Sequence, residues 1–221
     1  SIFERLVSAK VEFIELGFID ERRGFDINRS IAPDTASFNR IFQDLDKEDS
    51  LLVGMIDYGT CGIENIQPCS ESVFDGIRVI FKKHVRTEAI AFCKQIKQLG
   101  YKVFVQLVSI TSYDEAELQD LICLANSLEP YAVSIVDTYG LLYQDNLLHY
   151  FELLDANLKP GISIGYHAHN NFQMGYANCI AMMNLDTERE LLVDGTIHGM
   201  GKSAGNAPLE LIAMWMNDNL D

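Results

Sequence analysis

The segment Tyr166-His167-Ala168-His169-Asn170-Asn171 closes a run of apolar residues, and its two imidazoles stand two residues apart. In an extended chain, residues i and i+2 point to the same face, so His167 and His169 project together. Imidazoles paired in this way are well placed to hold a divalent metal ion. Two core or solvent-bound histidines are the other reading of so short a motif, and the polar Asn170 and Asn171 beside it favour a site. A second dense segment, "DGTIHGMGKSAGNAPLE", runs from Asp194 to Glu210 and joins a strand end, a glycine-rich loop and a helix start near Pro208. Backbone amides around Gly201 and Gly205 could bind a carboxylate or phosphate. A tight turn that needs positive φ explains the same glycines. Asn206 offers either a carbonyl-oxygen ligand or a helix cap.

These residues must be positioned by regular elements. Seven β-rich runs recur, at 10–18, 50–59, 76–83, 101–109, 131–140, 161–170 and 190–199. Most are nearly continuous in Val, Ile and other apolar residues, the pattern of parallel strands covered on both faces. Helical stretches separate them. In "RTEAIAFCKQIKQLG", Ala89, Ile90, Cys93, Ile96 and Leu99 form a helical stripe that Gly100 ends. In "SYDEAELQDLICLANSL", Ser112 or Asp114 is the expected N-cap. Two further helices are expected in "LLYQDNLLHYFELLDANL" and "NFQMGYANCIAMMN", and "IFERLVSAK" reads as the end of an earlier one.

Alternating βα units allow a doubly wound sheet or a (β/α)₈ barrel. The glycine-rich loop follows the last strand and lacks dinucleotide or P-loop spacing. Polar residues instead mark the C-terminal ends of many strands: Glu15, Asp57, Lys82, Gln106, Asp137, His167, His169 and Asp194. A barrel builds its active site at those ends. The expected fold is therefore a (β/α)₈ barrel spanning 1–221 as a single domain, with seven strands visible and the first one absent.

The whole-chain properties narrow the partners. A formal net charge of −15 argues against nucleic acid and anionic membranes. No stretch is long and apolar enough to span a bilayer, and no signal peptide is seen. The five cysteines lack CxxC spacing, which argues against a disulfide framework or zinc knuckle and fits a reducing cytoplasm. Cys93, Cys123 and Cys179 are expected as buried thiols.

"GYHAHNN", "DTYG" (137–140) and "DGTIHGMGKSAGNAPLE" together resemble a metal-dependent lyase and acyltransferase barrel family. That family includes 4-hydroxy-2-oxovalerate aldolase, HMG-CoA lyase and 2-isopropylmalate synthase. "FIELGF" and "TEAIAFCKQIKQLGYKVFVQ" resemble it too, so the likeness runs in order along nearly the whole chain. The resemblance implies that His167, His169 and Asn206 ligate a divalent metal, Mn²⁺ first, with Mg²⁺ or Zn²⁺ as alternatives. It places Glu15 on the second strand, lining the site and holding a catalytic arginine, and Asp137 and Thr138 at the sixth strand. The family's first strand, carrying Asp-x-Thr-Leu-Arg-Asp, has no match here. Lys202 and Ser203 stand where HMG-CoA lyase has a cysteine loop, which disfavours HMG-CoA as substrate.

The implied activity is aldolase-type carbon–carbon cleavage of a small 2-oxo acid through a metal-stabilised enolate. An acyl-CoA-dependent Claisen synthase of the same family, or an inactive barrel used for binding, are the alternatives. His84 and His198 are candidate bases, and Arg22, Arg23 and Arg29 candidates to grip a distal carboxylate. Residues 1–221 alone are expected to bind metal weakly and to lack lyase activity. A homo-oligomer is compatible with all of this.

Overall fold

All seven apolar runs form strands, and every pairing recorded between named strands is parallel. A computed structural model describes residues 1–220. They divide into two units: Ser1–Phe81 with Val85–Val105, and Lys82–His84 with the chain from Gln106 onward.

The first unit begins with α1 (Ile2–Ser8). The Ser1 hydroxyl accepts from the Glu4 amide while the Glu4 carboxylate reaches back to the terminal ammonium. Four strands follow in spatial order β2-β1-β3-β4: β1 (Phe13–Ile19), β2 (Ile31–Ala32), β3 (Leu51–Asp57) and β4 (Gly76–Ile80). The five interior residues of β3 are buried, as a strand covered on both faces requires. Two elements have no counterpart in the sequence reading. One is the two-residue β2, which pairs only with Phe18 and Ile19. The other is α2 (Thr35–Phe42), capped by Asp34, whose carboxylate accepts from the Ser37 amide at 2.7 Å. Phe38 of α2 packs on Phe74 with ring centroids 4.8 Å apart. The stripe Ala89, Ile90, Cys93 and Ile96 is the buried face of α3 (Arg86–Gln98).

The chain passes from the first unit to the second within β5 (Lys102–Leu107). The second unit then alternates α4 (Glu115–Leu128), β6 (Ala132–Asp137), α5 (Gln144–Asn157), β7 (Ser163–Ala168), α6 (Gly175–Met183), β8 (Leu191–Val193) and α7 (Leu209–Asn219). Asp114 caps α4 through a capping box with Glu117, at 2.8 and 3.0 Å. Arg189 closes the C-terminal end of α5: its guanidinium donates to the carbonyls of Asp155, Leu158, Lys159 and Ile162 and to the Asp155 carboxylate. A cation is favoured at that end of a helix.

Register aligns Asp137 with Ala168 and Tyr166 with Val193. The ends of β6, β7 and β8 are therefore rows of neighbours. They rest on a core of Ile135, Ile164, Tyr166, Leu154 and Met182, each 1% exposed or less. Truncating such a residue to Ala is expected to cost roughly 2–5 kcal/mol, so the strand ends have a rigid base. The cysteine expectation needs one correction: Cys93 and Cys179 are buried, but Cys123 lies on the solvent side of α4. Among the described residues no helix is long and apolar enough to cross a membrane.

Candidate metal centre

The end of β7 carries both histidines of the opening motif. Alternation along the strand aims them the same way, and their ring centroids lie 5.2 Å apart at an interplanar angle of 78°. His167 Nδ1 lies 2.8 Å from Asp194 Oδ2. Asp194 is fixed as the residue after β8, where its amide extends the ladder to the Tyr166 carbonyl at 3.0 Å. A carboxylate on Nδ1 places the proton there and leaves the Nε2 lone pair outward, the usual arrangement of a metal-ligating histidine. Burial holds the His169 imidazole below its ordinary pKa. Nearby His167 and Lys202 push the same way, and Asp137 opposes them. His169 is thus disposed to keep a lone pair for ligation.

Asn206 meets His169 through an antiparallel bridge. Its amide nitrogen donates to the Met200 carbonyl at 3.1 Å, yet its Oδ1 is buried with no hydrogen-bond partner. A buried polar atom left unpaired costs about 1–3 kcal/mol. The glycine loop creates this position. A Cβ on Gly201 would stand 2.6 Å from Asn206 Nδ2, and one on Gly205 (φ 88°) would stand 2.0 Å from the Gly199 carbonyl oxygen. Two imidazoles and an unengaged amide oxygen are a donor set that fits a divalent cation of Mn²⁺, Mg²⁺ or Zn²⁺ type. The described residues contain no group of three or more His, Cys, Asp or Glu side chains arranged for a metal. The candidate donors within this unit are two imidazoles and one amide oxygen.

Three loops are stitched together around this set. Asp137 is buried, and its two carboxylate oxygens accept from the Leu141 and Leu142 amides at 3.0 and 3.1 Å. This anchors the "DTYG" turn. The Thr138 hydroxyl accepts from the Ser109 amide at 2.8 Å. Asn171 is the link between loops. Its Nδ2 donates to the Tyr139 carbonyl at 2.7 Å, and its Oδ1 accepts from the Ala204 amide at 3.3 Å. Asp194 stood in the sequence as one strand-end acid among several, and its pairing with a residue 27 positions away carries no local signal.

The remaining predicted residues are engaged elsewhere. In the first unit, Glu15 pairs with Arg78 of β4 at 2.9 Å, and the Arg78 side chain is only 12% exposed. Arg78 escaped notice in the sequence, although a lone arginine within "GIRVIFKK" signals a partner. Arg22 donates from Nε and Nη2 to Asp20 at 2.7 and 2.8 Å. Arg23 lies 3.7 Å from Asp20, and Arg29 3.3 Å from Asp26. In the second unit, His198 pairs with Glu210 at 2.7 Å and is 82% exposed. His84 is exposed on a 3₁₀ turn at Lys83–Val85.

A family model described as HMGL-like matches residues 1–220. A 4-hydroxy-2-oxovalerate aldolase of Chloroflexus aurantiacus is 29% identical over 168 residues, covering 72% of this chain and 48% of that protein. Another, of Shewanella woodyi, is 34% identical over 115 residues, covering 52% of this chain and 33% of that protein. The match thus spans between a third and a half of the length of these curated relatives. Among solved structures, the HMG-CoA lyase of Brucella melitensis superposes with a TM-score of 0.65 at 14% identity, covering 94% of this chain and 90% of that one. At that identity the likeness concerns the fold, which is of the (β/α)₈ class expected from the sequence.

Proposed function

The chain belongs to the HMGL-like family, and from that premise we propose that it serves an aldolase-type carbon–carbon lyase acting on a small 2-oxo acid, 4-hydroxy-2-oxovalerate aldolase-like in type. One observation supports the reading above others: the buried, partnerless Oδ1 of Asn206, a residue bridged to His169. His167, His169 and Asn206 would hold a divalent cation, Mn²⁺ first. When bound, such a cation supplies Lewis-acid polarisation of the 2-oxo group.

The chain's own side chains do the rest. Asp194 fixes the tautomer and ring direction of His167. Asn171 and Asp137 hold the loops that flank the ligands, and the Gly201 and Gly205 backbone leaves room for the Asn206 amide. Cleavage needs a base for the proton of the departing hydroxyl. His84, exposed on its turn, is the residue proposed for it. Glu15 and Arg22 belong to the first unit, where they pair with Arg78 and Asp20.

The test uses the full-length protein with both His167→Ala and His169→Ala. Bound Mn²⁺ and metal-dependent release of pyruvate from a 4-hydroxy-2-oxo acid should both fall, by more than about 100-fold, the upper end of what loss of an outer partner causes. Unchanged metal content in the double variant would defeat the assignment. Activity that appears only with acetyl-CoA would move the reading to a Claisen synthase.

A further inference from the structure

Lys202 heads a turn at the tip of the glycine loop. Its carbonyl accepts from the Gly205 amide at 2.9 Å, and Ser203 between them adopts φ 56°. The loop is tied on both sides. The Ala204 amide donates to Asn171 Oδ1 at 3.3 Å, the Asn170 amide to the Gly205 carbonyl at 2.9 Å, and the Asn206 amide to the Gly199 carbonyl at 2.8 Å. The backbone that carries Lys202 is therefore held against the strand end bearing His169.

The chain has 32 acidic against 17 basic side chains, so carboxylate partners for an ammonium are plentiful. Lys47, Lys83 and Lys159 do, on Asp75, Glu117 and Glu129. Among the described residues no ion pair or side-chain hydrogen bond is recorded for Lys202, which is exposed. Asp137, whose carbonyl accepts from the His169 amide at 3.3 Å, turns its carboxylate onto the Leu141 and Leu142 amides. A cation with no recognised acidic partner among the described residues is thus carried by a loop tied to the strand end that bears these donors. Such a surface is complementary to a small anion.

We infer that Lys202 is the carboxylate anchor of the site: its ammonium pairs with the carboxylate next to the keto group of the 2-oxo acid and selects acids over neutral ketones and aldehydes. The inference rests on the lyase reading and specifies the substrate end that faces this loop. Lys202 is a specificity residue here, and the ligands of the cation remain His167, His169 and Asn206.

The experiment titrates the full-length protein, Lys202→Met and Lys202→Arg with Mn²⁺ alone, and then with oxalate at saturating Mn²⁺, at low and high salt. Oxalate is a planar dianion that resembles the enol form of a 2-oxo acid. Mn²⁺ affinity should survive in both variants. The oxalate Kd should rise about tenfold or more in Lys202→Met, the size of one charge-assisted contact. Lys202→Arg should recover most of it, and the salt dependence should shrink in Lys202→Met. Lys202→Met that keeps Mn²⁺ and binds oxalate within about twofold of the parent, against that tenfold expectation, overturns this inference and leaves the lyase reading standing. Loss of Mn²⁺ binding in both variants makes Lys202 a prop of the loop and overturns it too. A parent that binds Mn²⁺ but no oxalate overturns the lyase reading, and this inference with it.

Discussion

The two units treat their strand-end polar groups in opposite ways. In the first, three acids have partners inside the unit. Both Asp20 oxygens are taken by Arg22, Glu21 accepts from the Gly62 amide and Asn65 Nδ2, and Glu15 holds Arg78. In the second, several groups keep an unengaged atom: Asn206 Oδ1 has no partner, Lys202 has no recorded ion pair among the described residues, and His167 is held only through Nδ1. Buried polar groups are normally paired, and among the described residues Asn206 Oδ1 and Asn178 Oδ1 are exceptions.

This contrast can be broken by substitution. The largest effect is expected from Asp194→Asn, which weakens the hold on His167 Nδ1. Metal affinity should fall about 10–100-fold, while the unfolding midpoint of the metal-free protein stays close to the parent's. A variant that unfolds early but binds metal normally would make Asp194 a scaffold residue like those of the first unit. Next comes Gly205→Ala. At φ 88°, and with the Gly199 carbonyl in the way, the added Cβ should cost about 2 kcal/mol in urea unfolding and weaken metal binding with it. An alanine tolerated without either loss would mean that the loop does not shape the Asn206 position.

The smallest effect belongs to the first unit. The side-chain hydrogen bond from Arg22 holds the Asp20 carboxyl below the usual carboxylate range, with burial opposing it. A depressed folded value gives stability that is present above the unfolded value of about 3.9 and lost as pH falls through the folded one. Asp20→Asn should therefore lower the urea midpoint at pH 7, and the gap to the parent should close in acid. Metal affinity should not move. A gap that widens in acid would show that the Asp20–Arg22 pair is not its source.

The fold was legible because it is written in long patterns. Seven apolar runs and the stripe of α3 survive any local accident, whereas β2 is two residues long and offers no pattern to find. The start of α6 was read too early. Residues 171–174 look helical by composition, but the Asn170 carboxamide accepts from the Gly175 amide and the Phe172 amide is drawn to the Gly140 carbonyl. The site was legible where it is local: His167 and His169 share a strand face, and Asn206 closes a glycine loop. It was opaque where it is not. Nothing in the spacing ties Asp194 to His167, Asn171 to Tyr139 and Ala204, or Arg78 to Glu15, because each pairing is set by register between elements.

The central claim is that Asn206 Oδ1 stays unpaired because it belongs to a metal ion. Urea unfolding of the full-length parent and Asn206→Leu, each without metal and with excess Mn²⁺, tests it most directly. Removing a buried, partnerless oxygen should leave the metal-free variant at least as stable as the parent. Mn²⁺ should stabilise the parent by mass action, by about 2.7 kcal/mol at one hundred times Kd, and the variant far less. A variant that is weaker without metal, yet gains as much from Mn²⁺ as the parent does, would contradict the account.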